Sequence, residues 1–267
     1  MTSKAHTTRR ITIALAAMLT VSATHAHEAA KGVATQPSVA TNTSAQPSAP
    51  TKPRVAVYVS ATAIDLKRVL PAPPEPNSLA DLADLDTVLR VQEFRSPAEM
   101  AEATRDSTLG PMDWSATLLG TDFTATNYPK IAKLFADIRG DMKPYAHTSP
   151  YTHRARPKDR DARVKPILPS HHGAYPSART TGTRIWAFVM GEIVPERKAD
   201  FLAHADKSAW LRVVAGVHYP TDLVGGRLIG EAFIALLQNN PDFNRELAAA
   251  KAEFDGRRQK NSNRTRG

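Results

Sequence analysis

The sequence predicts an all-α fold with a single helical-bundle domain. In one segment after another, apolar residues recur at intervals of three and four, the pattern of a helix with one buried face. Capping residues and prolines stand directly before several of these segments, as they do at helix starts. The period-two alternation typical of strands is scarce. A length of 267 residues with 42% hydrophobic residues is enough for one sizeable core.

The chain begins with the pattern of a signal peptide. Lys4, Arg9 and Arg10 precede an apolar run over residues 11–23, and small residues follow it. This run is shorter than the ~20 residues that a membrane-spanning helix needs. We therefore interpret residues 1–26 as a cleaved signal and expect a periplasmic or secreted protein without stable membrane insertion.

Three further segments follow from composition. Residues 27–56 are rich in Ala, Pro, Ser and Thr and almost free of large apolar side chains, so a disordered tether is predicted there. The helical domain is expected over 57–255. The basic stretch 256–267 is interpreted as a disordered tail.

The first half of the domain carries three helix signals. Ser96, Pro97 and Glu99 form an N-cap, a first helical residue and a capping-box partner. Two amphipathic stripes flank this start. They consist of Leu79, Leu82, Leu85, Val88 and Leu89, and of Ile131, Leu134, Phe135 and Ile138.

The second half carries four predicted helices. Residues 185–194 are apolar on almost all sides, which predicts a buried helix that stops at Pro195. A cap at Thr221 and Asp222 is expected to start a helix running through Leu237. The helix between these two has a stripe of Phe201, Leu202, Ala205, Ala209, Trp210 and Val213, and the last helix starts at Asn240-Pro241 and carries Phe243, Leu247 and Phe254.

Composition limits the chemistry. The absence of Cys excludes a disulfide scaffold, a thiolate metal site and a Cys nucleophile. The formal net charge of +9 favours anionic partners, namely phosphate esters, nucleic acid or an acidic membrane surface. Charge alone does not choose among them, although an aromatic content of 6% argues against a stacking platform for nucleic acid.

Residues suited to phosphate chemistry lie between 143 and 226. Arg154 and Arg156 stand beside a Pro, and guanidinium groups match phosphate oxygens bidentately. Ser177 and Arg179 lie in a polar turn just before the predicted buried helix, where backbone N–H groups would face an anion. Each feature alone is weak evidence.

A third group completes the set. Arg212 is followed by His218 and Asp222, and a carboxylate that fixes an imidazole's tautomer makes His a good nucleophile or base.

Together and in this order, these residues resemble the motifs of the class A bacterial non-specific acid phosphatases, in the type-2 phosphatidic acid phosphatase/haloperoxidase superfamily. That signature is a Lys followed by Arg-Pro, then Pro-Ser-Gly-His, then Ser-Arg followed by His-x-x-x-Asp. Arg156, Ser177, Arg212, His218 and Asp222 match it. The resemblance covers about residues 60–255. It implies the superfamily's helical bundle, with His218 as nucleophile, Asp222 as its orienting partner, and Arg156, Arg212 and Ser177 binding phosphate.

Three positions depart from the family pattern. Ser149 stands in place of the Lys, with Lys143 nearby but out of register, and Leu211 replaces the Ser of Ser-Arg. Arg179 stands where the family has the His that protonates the leaving oxygen. A guanidinium keeps its proton, so Arg179 is not an acid, but its charge suits phosphate.

His171 and His172 offer a substitute acid. They follow Pro169 and Ser170, which gives a second Pro-Ser-x-His pattern ahead of Pro176. The interpretation favoured here is a pair of surface imidazoles in a loop. If either side chain turns inward, it could donate the missing proton.

Two function classes follow. The first is an exported acid phosphatase that forms a phosphohistidine, with activity reduced by the replaced acid and with no metal or cofactor. Its partners would be small organic phosphate esters, with inorganic phosphate or vanadate as ligands and no nucleic acid; a homo-oligomer is compatible with this. The second is a non-catalytic relative that binds phosphate or another oxyanion, and a vanadium haloperoxidase is a distant third.

Overall fold

A computed structural model describes residues 55–146, 149–151 and 153–264 of the chain. The described part is helical and contains no strand, which confirms the all-α prediction. No helix in this part is both long enough and apolar enough to cross a bilayer. The predicted signal peptide and residues 27–54 of the predicted tether lie outside the described residues.

Ten α-helices and two short 3-10 turns follow one another in the described chain. The α-helices are α1 (Leu66–Val69), α2 (Leu79–Phe94), α3 (Pro97–Thr108), α4 (Pro111–Leu119), α5 (Pro129–Met142), α6 (Pro157–Arg160), α7 (Ala178–Ile193), α8 (Lys198–Val214), α9 (Pro220–Gln238) and α10 (Pro241–Arg264). The 3-10 turns are Lys143–Ala146 and Pro195–Arg197.

Helix α7 is the central helix of the bundle. It packs most extensively against α8 and α9, and α10 packs against α5 and α7. Ser177 caps its start, and nearly all of its side chains from Thr180 to Ile193 are buried. The predicted buried helix before Pro195 is therefore confirmed, and it starts earlier than the apolar run alone suggests.

The predicted apolar stripe on α2 is partly wrong. Leu79 and Leu82 are 88% and 46% exposed, whereas Asp81 and Asp84 are 2% and 4% exposed. The inward face of α2 is therefore acidic at its start and apolar only further on, where Val88 is buried. The reason is a pair of cations near α6, since buried Arg154 pairs with Asp84 and half-buried Arg160 pairs with Asp81.

Two further details differ from the sequence-based expectation. Trp210 lies on the predicted inward face of α8 but is 44% exposed. Helix α9 begins at Pro220, with Tyr219 as its N-cap residue, so Asp222 lies inside the first turn. Its carboxylate nevertheless caps the helix by accepting the backbone N–H of Tyr219.

The disordered tail predicted from Gly256 is wrong for residues 256–264. Helix α10 continues to Arg264, because two basic residues of that stretch find partners on the bundle. Arg257 donates to the backbone carbonyl of Asn127 at 3.0 Å and also to its side-chain oxygen, and Arg258 pairs with Glu196.

Two glycines let α9 approach the start of α7 closely. A Cβ at Gly226 would lie 2.5 Å from the carbonyl oxygen of Ser177, and one at Gly225 would lie 2.6 Å from the ring of Tyr175. Only residues without a side chain fit there. The first turns of α7 and α9, which carry Ser177 and Asp222, are thereby held against each other.

Candidate active site

His218 lies in the short connection between α8 and α9. The chain leaves α8 through Gly216, whose φ of 71° is the left-handed conformation that glycine adopts readily. The amide of Val217 then donates to the carbonyl of Arg212 at 3.2 Å, which closes the turn. As a result, the His218 side chain points into the protein and is only 4% exposed.

Asp222 orients the imidazole of His218. One carboxylate oxygen, Oδ2, lies 3.2 Å from Nδ1 of His218 and accepts the N–H of Tyr219 at 2.8 Å. Because a carboxylate accepts, this contact favours the tautomer with the proton on Nδ1. The lone pair of neutral His218 is then on Nε2, which faces away from Asp222.

Arg156 faces that second nitrogen. Its Nη1 lies 2.8 Å from Nε2 of His218 and donates to the carbonyl of Val217 at 2.6 Å. Its Nε donates to the carbonyl of His172 at 2.7 Å. Burial lowers the pKa of Arg156, while the charge of Asp222 acts in the opposite direction. The guanidinium therefore stands where a group bound to Nε2 would be.

Arg212 supplies a second, half-buried cation. Its Nε is buried without a hydrogen-bond partner. Burial, together with the charges of Arg179 and Arg156, lowers the pKa of Arg212 to about 10. An unpaired donor of this kind costs about 1–3 kcal/mol, more when it is charged. Arg156 and Arg212 act on His218, and Arg179 acts on Arg212, so the three guanidinium groups together have the composition of an anion site.

Arg179 is bound to residues at the end of α3. Its Nη1 donates to the carbonyl of Leu109 at 2.7 Å, its Nη2 lies 3.2 Å from the Asp106 carboxylate, and it also contacts the carbonyl of that residue. The guanidinium lies over the ring of Trp186, 5.1 Å from the ring centre. Much of its hydrogen-bonding capacity is thus committed to the C-terminal end of α3.

Ser177 serves as the N-cap of α7. Its hydroxyl oxygen accepts from the backbone N–H and the hydroxyl of Thr180, and its own N–H donates to the Asp222 carbonyl at 3.0 Å. The side chain is fully buried. The predicted phosphate ligand is therefore placed beside Asp222, with a structural role of its own.

The remaining sequence candidates lie elsewhere. His171 and His172 have exposed side chains on the loop before α7, in line with the favoured interpretation, although the His172 backbone contacts Arg156. Ser149 is buried, and its hydroxyl accepts the N–H of Tyr151 at 3.2 Å. Lys143 is exposed, and Leu211 is buried in an apolar cluster.

The sequence interpretation placed Arg154 beside Arg156 without giving it a separate role. In the structure Arg154 is buried and pairs with Asp222 at 2.6 Å and with Asp84 at 2.7 Å. Arg154 and Arg156 reach opposite ends of the His218–Asp222 pair, since Arg154 donates to Oδ1 of Asp222 and Arg156 contacts Nε2 of His218. The sequence signal for a buried cation here was the presence of acidic residues between the leucines of α2.

Burial makes the His218 imidazole a weak base. The pKa of His218 falls to about 4, chiefly through burial, with the charges of Arg156 and Arg212 lowering it further and Asp222 opposing them. Neutral His218, whose Nε2 lone pair faces Arg156, is therefore the form present above about pH 4. Within the described residues, no group of three or more His, Asp or Glu side chains is arranged to hold a metal ion.

The lowered pKa of His218 predicts a pH-dependent stability. Below pH 6.5 the unfolded chain takes up a proton on this side chain, whereas the folded protein does so only near pH 4, so stability is lost as the pH falls between these values. The free energy of unfolding of the wild type should fall by about 3 kcal/mol more than that of His218→Asn over this range. Urea denaturation in phosphate-free buffers measures both, and parallel pH curves would contradict the buried neutral imidazole.

Comparison with known proteins finds acid phosphatases among the relatives of this chain. No family model matches the chain. The chain is 28% identical over 221 residues to a non-specific acid phosphatase of Providencia stuartii, covering 76% of this chain and 86% of the relative. An acid phosphatase of Zymomonas mobilis is 24% identical over 201 residues, with 70% and 74% covered. A non-specific acid phosphatase of Salmonella typhimurium is 30% identical over 117 residues, or 42% of this chain and 44% of the relative.

Proposed function

This chain is homologous to the bacterial non-specific acid phosphatases, and from that premise we propose that it is a phosphoric monoester hydrolase with His218 as its nucleophile. Its substrates would be small organic phosphate esters, with inorganic phosphate or vanadate as ligands of the same site. We further propose an exported protein, on the basis of the pattern in residues 1–26.

The observation that carries the proposal is the unpaired Nε of Arg212 beside a neutral, oriented imidazole. Three guanidinium groups act on the same small region, since the charges of Arg156 and Arg179 lower the pKa of Arg212. Like charges are gathered at this cost most often at functional sites. A phosphoryl group would satisfy the Arg212 donor and neutralise the cluster.

Substrate binding would displace Arg156 from His218. In the structure Nη1 of Arg156 occupies the direction of the Nε2 lone pair at 2.8 Å. A phosphate oxygen is a stronger acceptor than an imidazole nitrogen, so the guanidinium would exchange partners and leave Nε2 facing phosphorus. The bond to the Val217 carbonyl at 2.6 Å keeps Arg156 near the site during this exchange.

The first chemical step is in-line attack. The Nε2 lone pair forms an N–P bond, the P–O bond to the leaving group breaks, and its electrons remain on the leaving oxygen. The imidazolium charge that develops is stabilised by Asp222, which lies 3.2 Å from Nδ1. The leaving oxygen takes its proton from solvent, because Arg179 stands where the family has an acid.

The second step is hydrolysis of the phosphohistidine. A water oxygen attacks phosphorus, the N–P bond breaks, and its electrons return to Nε2 of His218. The proton of the water passes to solvent or to the departing phosphate. Arg156 and Arg212 stabilise the charge on the phosphoryl oxygens in both steps.

A second candidate function is oxyanion binding without efficient turnover. The observation in its favour is the environment of the missing acid, since Arg179 is bound to α3 and the side chains of His171 and His172 are exposed. Loss of a general acid typically costs about 10²–10⁴-fold in rate. Such a relative would keep the affinity of the arginine cluster for phosphate.

Hydrolysis of p-nitrophenyl phosphate by the purified protein, from pH 4 to 8, separates the two functions. We expect turnover that vanadate inhibits competitively, because vanadate binds the same cations. Binding of vanadate without turnover at any pH would favour the second function. Neither binding nor turnover would overturn both.

Removing Arg212 should abolish anion binding. Saturating phosphate should raise the melting temperature of the wild type by mass action, and Arg212→Gln should lose most of that shift because the unpaired guanidinium is gone. Thermal unfolding with and without phosphate, at matched ionic strength, measures this. Lys207→Gln is the control, since Lys207 lies on the same helix and pairs with Glu102 at the surface. Equal shifts in both variants would contradict the role of Arg212.

A further inference from the structure

A buried charge network extends from His218 through Asp222 to α2. Arg154 is at its centre, with Nη1 donating to Asp222 Oδ1 at 2.6 Å and Nη2 donating to Asp84 Oδ2 at 2.7 Å. Thr221 adds to it, because its hydroxyl contacts Asp84 and accepts from Arg154 at 2.7 Å. We propose that Arg154, held by Asp84, is a positioning residue that fixes the Asp222 carboxylate and through it the nucleophilic imidazole.

The first argument is the number of donors on Asp222. Oδ1 is bound by Arg154, and Oδ2 is shared by the N–H of Tyr219 at 2.8 Å and Nδ1 of His218 at 3.2 Å. With Arg154 in place, both carboxylate oxygens are bound, which fixes the orientation of the carboxylate plane. Without it, the carboxylate could rotate about its terminal bond, which is a soft torsion, and the imidazole would lose its orientation.

The second argument is the position of Arg154 itself. Its guanidinium lies over the ring of Tyr219, 4.2 Å from the ring centre, and its side chain is only 7% exposed. Burial opposes its charge, but the carboxylates of Asp222 and Asp84 outweigh burial and raise its pKa. Arg154 is thus a permanent cation held between Asp222 on α9 and Asp84 on α2, which is far away in sequence, and Asp81 on α2 lies 3.8 Å from it as a third anion.

The third argument concerns the proton affinity of His218. The charged groups facing this imidazole are Asp222 from α9, Arg156 from the segment before α6 and Arg212 from α8. Arg154 neutralises part of the Asp222 charge from the far side. Loss of Arg154 would therefore leave the full charge of Asp222 acting on His218, and because this charge effect does not depend on an oriented hydrogen bond, the pKa of His218 would rise.

The energetics of buried ion pairs favour a functional role for this network over a purely stabilising one. Replacing one partner of a buried pair leaves uncompensated charge, yet buried pairs contribute little net stability relative to apolar packing. A network that serves stability alone could therefore be apolar. The directional hydrogen bonds from Arg154 to Asp222 supply what apolar side chains do not, a fixed carboxylate orientation.

A cavity beside the network makes chemical rescue feasible. A space of about 410 Å³ is lined by Arg154, Tyr219 and Arg160, among others. In Arg154→Ala the missing guanidinium group would extend this space, and free guanidinium ion could enter and bind both carboxylates. Urea has a similar shape and no charge, so it is the matched control additive.

The experiment measures Arg154→Ala and Arg154→Lys by nitrogen NMR of the imidazole, with His218 assigned by comparison with His218→Asn. We expect the His218 pKa to rise by about one unit in Arg154→Ala. Millimolar guanidinium should reverse the change, and urea should not. If the Ala variant fails to fold, Arg154→Lys, which keeps the charge but not the two directed bonds, should still weaken the Nδ1–H signature of His218.

Steady-state kinetics test the effect of Arg154 on catalysis. This part of the inference rests on the proposed function. In Arg154→Lys, kcat should fall about 10–100-fold, the loss expected for a charged hydrogen bond, with KM changed less than about twofold. Arg90→Gln is the control, since Arg90 lies on α2 like Asp84 but is exposed and pairs at the surface with Asp86. It should leave kcat and the acid limb of the pH profile unchanged.

The outcomes are distinguishable. An unchanged His218 tautomer and pKa in the folded Arg154 variants would overturn the positioning role, whatever the activity. A wild type without turnover would overturn the proposed function, and the NMR measurement would still decide the role of Arg154. Equal rescue by urea and guanidinium would show that the cation fills space only, and would also overturn it.

Discussion

Alanine at position 218 should reduce hydrolysis of p-nitrophenyl phosphate to the background rate. The imidazole is the only oriented nucleophile that the described site presents to the arginine cluster, and no neighbouring group replaces its lone pair. Quenching the wild type in alkali during turnover should trap phosphate on the protein, because an N–P bond to imidazole is stable in base and hydrolysed in acid. The His218→Ala protein should trap none.

Two controls accompany this prediction. Asp222→Asn should lower turnover less, because it disturbs the tautomer and orientation of His218 and leaves the nucleophile in place. Circular dichroism should show the same helix content in His218→Ala as in the wild type. A His218→Ala protein that retains wild-type turnover would disprove the nucleophile assignment.

The course of most helices could be predicted from local sequence alone. The capping box at Ser96 and Glu99 forms as expected, and the apolar run before Pro195 is a buried helix. These features depend on neighbours within a few residues, so pattern and propensity suffice. Helix α10 extends past Gly256 because Arg257 and Arg258 bind residues of distant segments, which local composition does not reveal.

Within the site, the order of the motifs was more informative than any single residue. The structure brings Arg156 against His218, and Arg212 near both. Local reasoning failed where a partner is remote: Asp84 on α2 is buried against Arg154 and Thr221, which are distant in sequence. The sequence therefore predicted that the leucine stripe of α2 faces inward, whereas in the structure the carboxylates of α2 do.

Arg179 illustrates the same limit. Its place in the motif suggests a phosphate ligand, and nothing near it in sequence indicates the α3 carbonyl and carboxylate that bind it. Its charge still reaches the site, since it lowers the pKa of Arg212. What the position cannot supply is a proton, because a guanidinium remains charged at any working pH.

The missing acid leads to a prediction about substrate preference. Without a proton donor, P–O cleavage expels the leaving group as an anion, and a phenolate is far more stable than an alkoxide. The wild type should therefore hydrolyse aryl phosphates much faster than alkyl phosphates such as glycerol phosphate. Steady-state kcat/KM on the two substrates measures the ratio. Equal rates would mean that another group donates the proton, and Ala variants of His171 and His172 would be the first to test.

Restoring an acid at position 179 should reverse this preference. Arg179→His should raise turnover of alkyl phosphates by up to about 10²–10⁴-fold, the range that general acid catalysis supplies, and aryl phosphates should gain much less. The same change removes the bonds from Arg179 to Asp106 and Leu109 and one cation near Arg212. Arg179→Gln is the matched control, because it loses the same contacts and gains no acid. If both variants show the same ratio of aryl to alkyl turnover, an imidazole at this position does not reach the leaving oxygen.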